Sequence, residues 1–304
     1  MREALGLLEE QISAYRSMRE QAVTAMAVQL SAALEGGAAS AAAHPAHPEH
    51  ALLPGVVLVS SPEPDWMTPD WRYRIITARP NLEERRRVAQ GVHSWRTTYA
   101  AHRLLSRAPP HFGFFQQQLG LQPLLVTPQG YVVLLIKMQT VVQMSRSLAA
   151  AGLRVSDMVA HCGFMWSFMF EVLAPHHHPA GRLIMVTDMR GIKLGQAVGE
   201  GQVGARAIGE VCFAWPERLS RCLVLGTPSW FNMLYRMVRP HLSPNTRAKV
   251  QVMCDAGEAA AELARCLGPE LVPKEYGGPC ALPYHEYPAQ KQLLQHVAKL
   301  QQQR

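Results

Sequence analysis

Residues 239–250, RPHLSPNTRAKV, read as the end of one helix, a break and the start of another. Ser243 is placed as an N-cap and Pro244 as the first helical residue. That predicts Thr246, Arg247 and Lys249 in the opening turns, where cations oppose the helix macrodipole. Their position therefore asks for a reason. Other stretches carry weaker signals. GEGQVG at 199–204 matches G-x-G-x-x-G. In a dinucleotide site those glycines follow a strand directly and open a helix. Here the preceding strand is expected to end near Met189, and Glu200 would stand where phosphates belong, so a flexible loop is expected instead. PHHHP (175–179) and HPAHPEH (44–50) offer imidazoles, but proline-bounded loops do not hold ligands in the fixed geometry a metal needs. No metal and no cofactor are expected. Neither G-x-S-x-G nor H-E-x-x-H occurs. Asp188 ends an apolar run and is expected to cap the turn DMRG.

The most informative block is WPERLSRCLVLGTPSWFNMLYRMVRPHLSPNTRAKV, residues 215–250. Trp230, Phe231, Met233, Leu234, Met237 and Val238 form a broad apolar face. Asn232, Arg236, Arg239 and Ser243 fall at i, i+4, i+7 and i+11 on the other side. An ordinary amphipathic helix on a sheet explains that pattern. Its large, soft Trp/Phe/Met content also suits a lid over an apolar cavity.

Elements around this block set its context. In 304 residues, 48% are hydrophobic and 17% charged, which permits a sizeable core. The net charge of +7 suits an anionic surface. The excess is diffuse, and "RIITARPNLEERRR" mixes both signs, so no nucleic-acid stripe is expected. Cys162, Cys212, Cys222, Cys254, Cys266 and Cys280 form no C-x-x-C pair and are expected as reduced thiols of a cytoplasmic protein. Glu3, Glu9 and Glu10 stand where a signal peptide would need an apolar run. The longest apolar stretch, MVAHCGFMWSFMFEVLA, is interrupted by His161 and Glu171. It falls short of the roughly 18–20 residues a membrane span needs and is expected as a buried helix.

Residues 1–37 read as an N-terminal helical segment stopped by Gly36 and Gly37. Residues 38–70 have the Pro, His and Ala content of a linker. Residues 71–109 read as a small helical domain in which Val88, Val92, Trp95 and Tyr99 recur at helical spacing. From about 119 the pattern changes. YVVLLIKM (131–138), RLIMVTDM (182–189) and RCLVLGT (221–227) are continuous apolar runs, the mark of strands covered on both faces. Helical segments near 139–151, 157–173, 196–213 and 229–242 alternate with them. The fold class expected is α/β, with a mostly parallel sheet and crossover helices. Residues 286–304 read as a helical tail.

Taken together, the 215–250 residues resemble the CRAL-TRIO lipid-binding domain family, most closely its phosphatidylinositol-transfer branch. The family pattern runs Pro-Glu-Arg, a short strand, an aromatic gate helix, Lys/Arg-Pro-Phe-Leu and Thr-x-x-Lys. This chain has Pro216-Glu217-Arg218, Gly226-Thr227-Pro228, Trp230-Phe231, Arg239-Pro240-His241-Leu242 and Thr246-Arg247-Ala248-Lys249 without a gap. LVPKEYGG (271–278) resembles the family's closing Leu-Pro-x-Glu-Tyr-Gly-Gly, and LIMVTDMRGIKL (183–194) its central strand and Asp-x-x-Gly. The resemblance covers residues 110–285 well and YRIITARPNLEERRRVAQGVHSWR more loosely.

The resemblance implies a sheet flooring a large apolar pocket, closed by the gate helix and preceded by the small helical domain. A phospholipid would rest with its chains inside and its headgroup at the rim. The implied phosphoinositide headgroup contacts are Arg79, Glu217, Arg218, Thr246 and Lys249, and the implied gate residues are Trp230, Phe231, Met233, Leu234, Met237 and Val238. On this reading a lipid phosphodiester meets Thr246 and Lys249, which share a face at i, i+3, at a helix start that attracts anions. The function implied is binding and transfer or presentation of a phospholipid, most specifically phosphatidylinositol, without catalysis. The expected partners are the lipid and, transiently, an anionic membrane surface, with no nucleic acid. Alternatives are a lipid-sensing adaptor that engages a protein through its N-terminal segment, a carrier of another small hydrophobic ligand, and a lipid hydrolase. The hydrolase needs a nucleophile–base pair, and the sequence offers no recognisable one. The chain departs from the pattern at Ala214-Trp215, at Pro80 after Arg79, and at Lys193 and Gly195, where small hydroxyl residues would serve phosphatidylcholine.

Overall fold

The computed structural model describes residues 66–303 apart from Pro80, His178, Pro179, Gly199, Glu200 and 239–243. The expected N-terminal helix and most of the expected linker lie outside the described residues, as does the Ser243 cap. Helix α1 (Pro69–Ala78) starts inside the stretch expected as linker. Thr68 caps it by accepting from the Trp71 amide at 3.4 Å, and Pro69 presets the first helical φ. In α2 (Leu82–Thr98) the Asn81 side chain accepts from the Glu84 amide at 2.8 Å. Its buried stripe is Val88, Ala89, Val92 and Trp95, as the spacing predicts. A 3-10 turn (Ala101–Ser106) and α3 (Phe112–Gln118) lead to the sheet.

The sheet has five strands in the order β1-β2-β3-β4-β5. They are β1 (Leu121–Val126), β2 (Tyr131–Lys137), β3 (Arg182–Asp188), β4 (Leu219–Leu225) and β5 (Val250–Met253). The β1–β2 pair is antiparallel and the rest are parallel. Helices α4 (Met138–Ala150) and α5 (Val155–Ser167) join β2 to β3, and a π-helical turn (Phe168–Leu173) extends α5. Helices α6 (Leu194–Val198) and α7 (Gly201–Ala214) join β3 to β4; α8 (Ser229–Val238) and α9 (Pro244–Lys249) join β4 to β5. Then come α10 (Ala256–Leu267) and the C-terminal α11 (Pro288–Gln302).

The strands read as unbroken apolar runs because both faces are covered. Val132, Leu134, Ile136 and Leu183 pack toward α4, α5 and α7, while Val133, Leu135, Val186, Leu223 and Leu225 pack toward α10. The first of these cores continues through Phe164, Trp166 and Trp215 to Trp71, Val92 and Trp95, so α1 and α2 share it. Each such fully buried side chain stabilises the fold by roughly 1.5–3 kcal/mol. The apolar stretch 158–174 is indeed a buried helix that widens into the π turn. Among the described residues no helix is long and apolar enough to cross a membrane.

Two features differ from the sequence expectation. β1 and β5 were not expected. The stretch 199–204, expected as a flexible loop from its glycines, is helical from Gly201 onward, in line with the helical segment expected near 196–213. A Cβ at Gly204 would lie 2.1 Å from Val141 Cγ1, so this glycine lets α7 approach α4 rather than a phosphate.

Candidate functional site

Parallel strands give the sheet two distinct ends. At the amino ends of β3, β4 and β5 the chain gathers charge. Glu217, in the corner between α7 and β4, has φ +53°, a left-handed conformation uncommon for a non-glycine residue. Its carbonyl accepts from Arg74 Nη1 at 3.2 Å. Its carboxylate takes Lys249 Nζ on Oε2 at 2.9 Å and Asn245 Nδ2 on Oε1 at 3.0 Å. The Lys249 and Glu217 side chains are only 16% and 14% exposed, so solvent screens the pair weakly.

Behind this pair lies an inner layer. Arg74 is fully buried and donates from Nε to Asp70 Oδ2 at 2.8 Å and from Nη2 to the Ala180 carbonyl at 2.9 Å. Arg218 donates from Nη1 to the Gly181 carbonyl at 2.8 Å and from Nη2 to Asp70 Oδ2 at 3.4 Å. Its guanidinium lies 4.8 Å from the Phe170 ring centroid, a cation–π contact. Burial, with Arg74 beside it, brings the Arg218 pKa down to about 10, against the opposing pull of Asp70 and Glu171. It stays charged at neutral pH.

Of the residues expected at a headgroup, the structure brings Glu217 and Lys249 into contact. Arg218 shares their corner but turns inward to Gly181 and Asp70. Arg79 is the C-cap of α1, where its Nη1 donates to the Ala78 carbonyl at 2.7 Å. Thr246 lies on α9, and its side chain is outside the described residues. One expectation is corrected. The helix after the break has only six residues and Lys249 is its last, so Arg247 and Lys249 stand in its final turn. A cation there complements the macrodipole rather than opposing it. The chain turns directly into β5, which puts Lys249 beside Glu217.

Helix α8 runs from the carboxyl end of β4 back toward the amino end of β5. Its Trp230 Nε1 donates to the Ile192 carbonyl at 3.3 Å, and Phe231 stacks on Tyr235 with centroids 6.1 Å apart. Trp230 and Phe231 pack with Met185, Met189, Cys222, Val224, Val250 and Val252, an apolar floor made by β3, β4 and β5. The side chains of Met233, Leu234, Met237 and Val238 lie outside the described residues.

The carboxyl end of the sheet is braced by a second network. Asp188 caps its turn as expected, accepting from the Arg190 amide at 2.9 Å. It also takes Arg190 Nη2 and the Tyr276 hydroxyl, each at 2.7 Å. Burial opposes its ionisation, but the bonds from Arg190 and Tyr276 outweigh burial and hold the carboxyl below the usual range. Glu275 joins Arg190 and Lys137, at 2.9 and 2.7 Å, and accepts from the Tyr284 hydroxyl. The Glu-Tyr-Gly-Gly motif thus has a physical task. Glu275 and Tyr276 bind the β2 and β3 ends, while a Cβ at Gly278 would lie 2.1 Å from the Val272 carbonyl oxygen. A cleft of about 300 Å³ opens among Lys137, Gln139, Asp188, Arg190 and Glu275. Another, of about 530 Å³, lies between β5 and α10 and is lined largely by Arg221, Gln251, Glu258, Glu262 and Arg265. Among the described residues no three of His, Cys, Asp or Glu gather as metal ligands would.

Sequence reasoning missed Asp70, Arg74 and Asn245. Asp70 and Arg74 stand at i, i+4, the spacing of an exposed helical ion pair, and nothing in the sequence marks this pair as buried. Asn245 sits in the resembling block but outside its motif positions.

Comparison with known proteins bears on the fold and the family. The crystal structure of Sfh5 superposes with a TM-score of 0.51 at 15% identity, covering 78% of this chain and 86% of that one, a likeness of fold. Patellin-6 of Arabidopsis thaliana is 34% identical over 64 residues, 21% of this chain and 15% of that protein. Patellin-5 of the same plant is 31% identical over 64 residues, and the chain covers 9% of its length. The chain therefore spans only a small part of these curated relatives. A family model of the CRAL/TRIO domain matches residues 126–278, just over half of the chain, from the end of β1 through the Glu-Tyr-Gly-Gly motif. By that match and by its fold, the chain belongs to the CRAL/TRIO domain family.

Proposed function

We propose that this protein binds a phospholipid and transfers or presents it between membranes, and that the preferred headgroup is an inositol phosphate. The observation that carries this reading is one of placement. An aromatic helix, α8, covers an apolar floor, and the next helix delivers Lys249 to a weakly screened Glu217 at the amino end of that floor. The two clefts described above are lined by charged and polar groups that do not suit acyl chains; on this reading the chains enter between the floor and α8 as Trp230 and Phe231 lift from it.

Each CH₂ moved from water to such a chamber contributes roughly 0.8 kcal/mol, so two acyl chains are retained easily. In a bilayer the chains are already dry, and exchange is nearly balanced. Selectivity then rests on the headgroup. Lys249 offers a cation to the phosphodiester, and Glu217 and Asn245 offer acceptors to ring hydroxyls. The Lys249–Glu217 pair keeps both charges neutralised until a lipid arrives. Lys193 and Gly195, where small hydroxyls would serve phosphatidylcholine, favour the inositol lipid. The excess of +7 supports docking on an anionic membrane as a peripheral protein. The chemistry on this reading is recognition, not bond breaking.

The test is vesicle-to-vesicle transfer of phosphatidylinositol and phosphatidylcholine by the full chain and by Thr246→Ala and Lys249→Ala. Both variants should lose phosphatidylinositol transfer by about tenfold, the worth of one charge-assisted hydrogen bond. Unchanged transfer by both removes the assignment.

A further inference from the structure

Arg74 reaches from the α1 helix to the loop before β3 and the corner before β4 at once, and Arg218 ties the same three places from the corner itself. Arg74 donates from Nε to Asp70, from Nη2 to the Ala180 carbonyl and from Nη1 to the Glu217 carbonyl. The planar guanidinium supplies these donors in fixed directions, which a lysine cannot reproduce. The residue it grips, Glu217 at φ +53°, has a left-handed backbone that among the described non-glycine residues only Ala100 and His111 share. Such a conformation persists where surrounding bonds over-determine it. Glu217 is also the residue whose carboxylate receives Lys249 and Asn245. Asp70 holds Arg74 from behind and receives Arg218 as well, so the corner is tied on both sides.

We infer that Arg74, braced by Asp70, is a positioning residue for the headgroup site: it fixes the backbone of Glu217 so that the carboxylate meets Lys249. Its consequence for lipid selectivity rests on the reading of Glu217 and Lys249 as headgroup contacts; its consequence for the Lys249–Glu217 pair does not. A plain staple between α1 and the sheet would stabilise the fold without setting that pair.

Two measurements on the full chain separate these cases. The first is the reactivity of the Lys249 amine toward an acylating reagent, read by peptide mass spectrometry against the exposed Lys291. Glu217→Gln sets the scale by releasing Lys249. Arg74→Met should raise Lys249 labelling by a similar factor, and Arg74→Met/Glu217→Gln should raise it no further. Arg74→Lys should fail to restore protection. If Arg74→Met has lost the native circular dichroism, Asp70→Asn serves in its place and should give a smaller rise of the same kind. Wild-type labelling in folded Arg74→Met, or in Asp70→Asn where that serves, overturns the inference. The second measurement is the ratio of phosphatidylinositol to phosphatidylcholine transfer. Arg74→Met and Glu217→Gln should each lower it about tenfold, with no further loss in combination. A staple would lower the melting temperature and leave the ratio constant. Should Glu217→Gln spare the ratio, the headgroup reading fails, and the labelling alone decides the positioning role. Should Glu217→Gln lower the ratio while Arg74→Met does not, the positioning role fails and the reading stands.

Discussion

Replacing Asp188 by asparagine probes the brace at the carboxyl end of the sheet. Asp188 is 5% exposed and accepts from the Arg190 amide, from Arg190 Nε and Nη2, and from Tyr276 Oη. Asparagine keeps one acceptor oxygen but turns an NH₂ toward a guanidinium that is itself all donor. Breaking a buried ion pair by removing one partner costs about 3–5 kcal/mol. Arg190 is 41% exposed and keeps its bond to Glu275, so the lower end applies, about 3 kcal/mol. Tyr276→Phe removes a single bond to a charged acceptor and should cost about 1.5–3 kcal/mol. Urea unfolding at pH 7 measures both. The pH dependence follows from the depressed carboxyl. A carboxyl whose folded pKa lies below its unfolded value, about 3.9, contributes stability that is fully present above that value. The contribution is lost as pH falls through the folded pKa. The gap between wild type and Asp188→Asn should therefore be constant from pH 8 to pH 5 and shrink below pH 4. A gap under about 1 kcal/mol at pH 7, or one that persists undiminished to pH 2, refutes the reasoning. Arg190 also packs on the turn that starts α8, since a Cβ at Gly226 would lie 2.3 Å from its Cγ.

Two further outcomes are expected. His161 is fully enclosed, stacked 5.0 Å from Phe115, and burial holds its pKa near 3. The wild type should lose about 1.4 kcal/mol per pH unit as pH falls below about 6.5, and His161→Leu should flatten the dependence between pH 6.5 and pH 5; parallel urea-midpoint curves would contradict this. Gly204→Ala should cost about 1–3 kcal/mol by overpacking Val141, seen as a lower melting temperature, and Val141→Ala in the same chain should recover part of it.

Much of the architecture was legible because burial leaves a period in the sequence. β2, β3 and β4 announce themselves as unbroken apolar runs, and α2 as a stripe of Val88, Val92 and Trp95. β5 did not, because VQVM is four residues long and follows a helix without a break. β1 carries Pro123, a strand breaker in sequence terms, which the structure accommodates at an irregular register. The gly-rich 199–204 stretch misled because helix crossing and phosphate approach demand the same small residue. At the candidate site, Glu217 and Lys249 were found through their motif. Spacing alone could not show that they meet, since 32 residues separate them. Asp70 and Arg74 escaped because an i, i+4 pair reads alike whether buried or exposed; only the tertiary fold, by setting α1 against the loops that lead into β3 and β4, buries it.

Native mass spectrometry of the full chain purified from cells tests the central claim most directly. The expected spectrum shows the polypeptide carrying one intact phospholipid whose fragments yield an inositol phosphate and two acyl chains, with Lys249→Ala losing that species selectively. A spectrum of bare polypeptide, from protein that also fails to take up phosphatidylinositol from vesicles, would contradict a lipid chamber beneath α8.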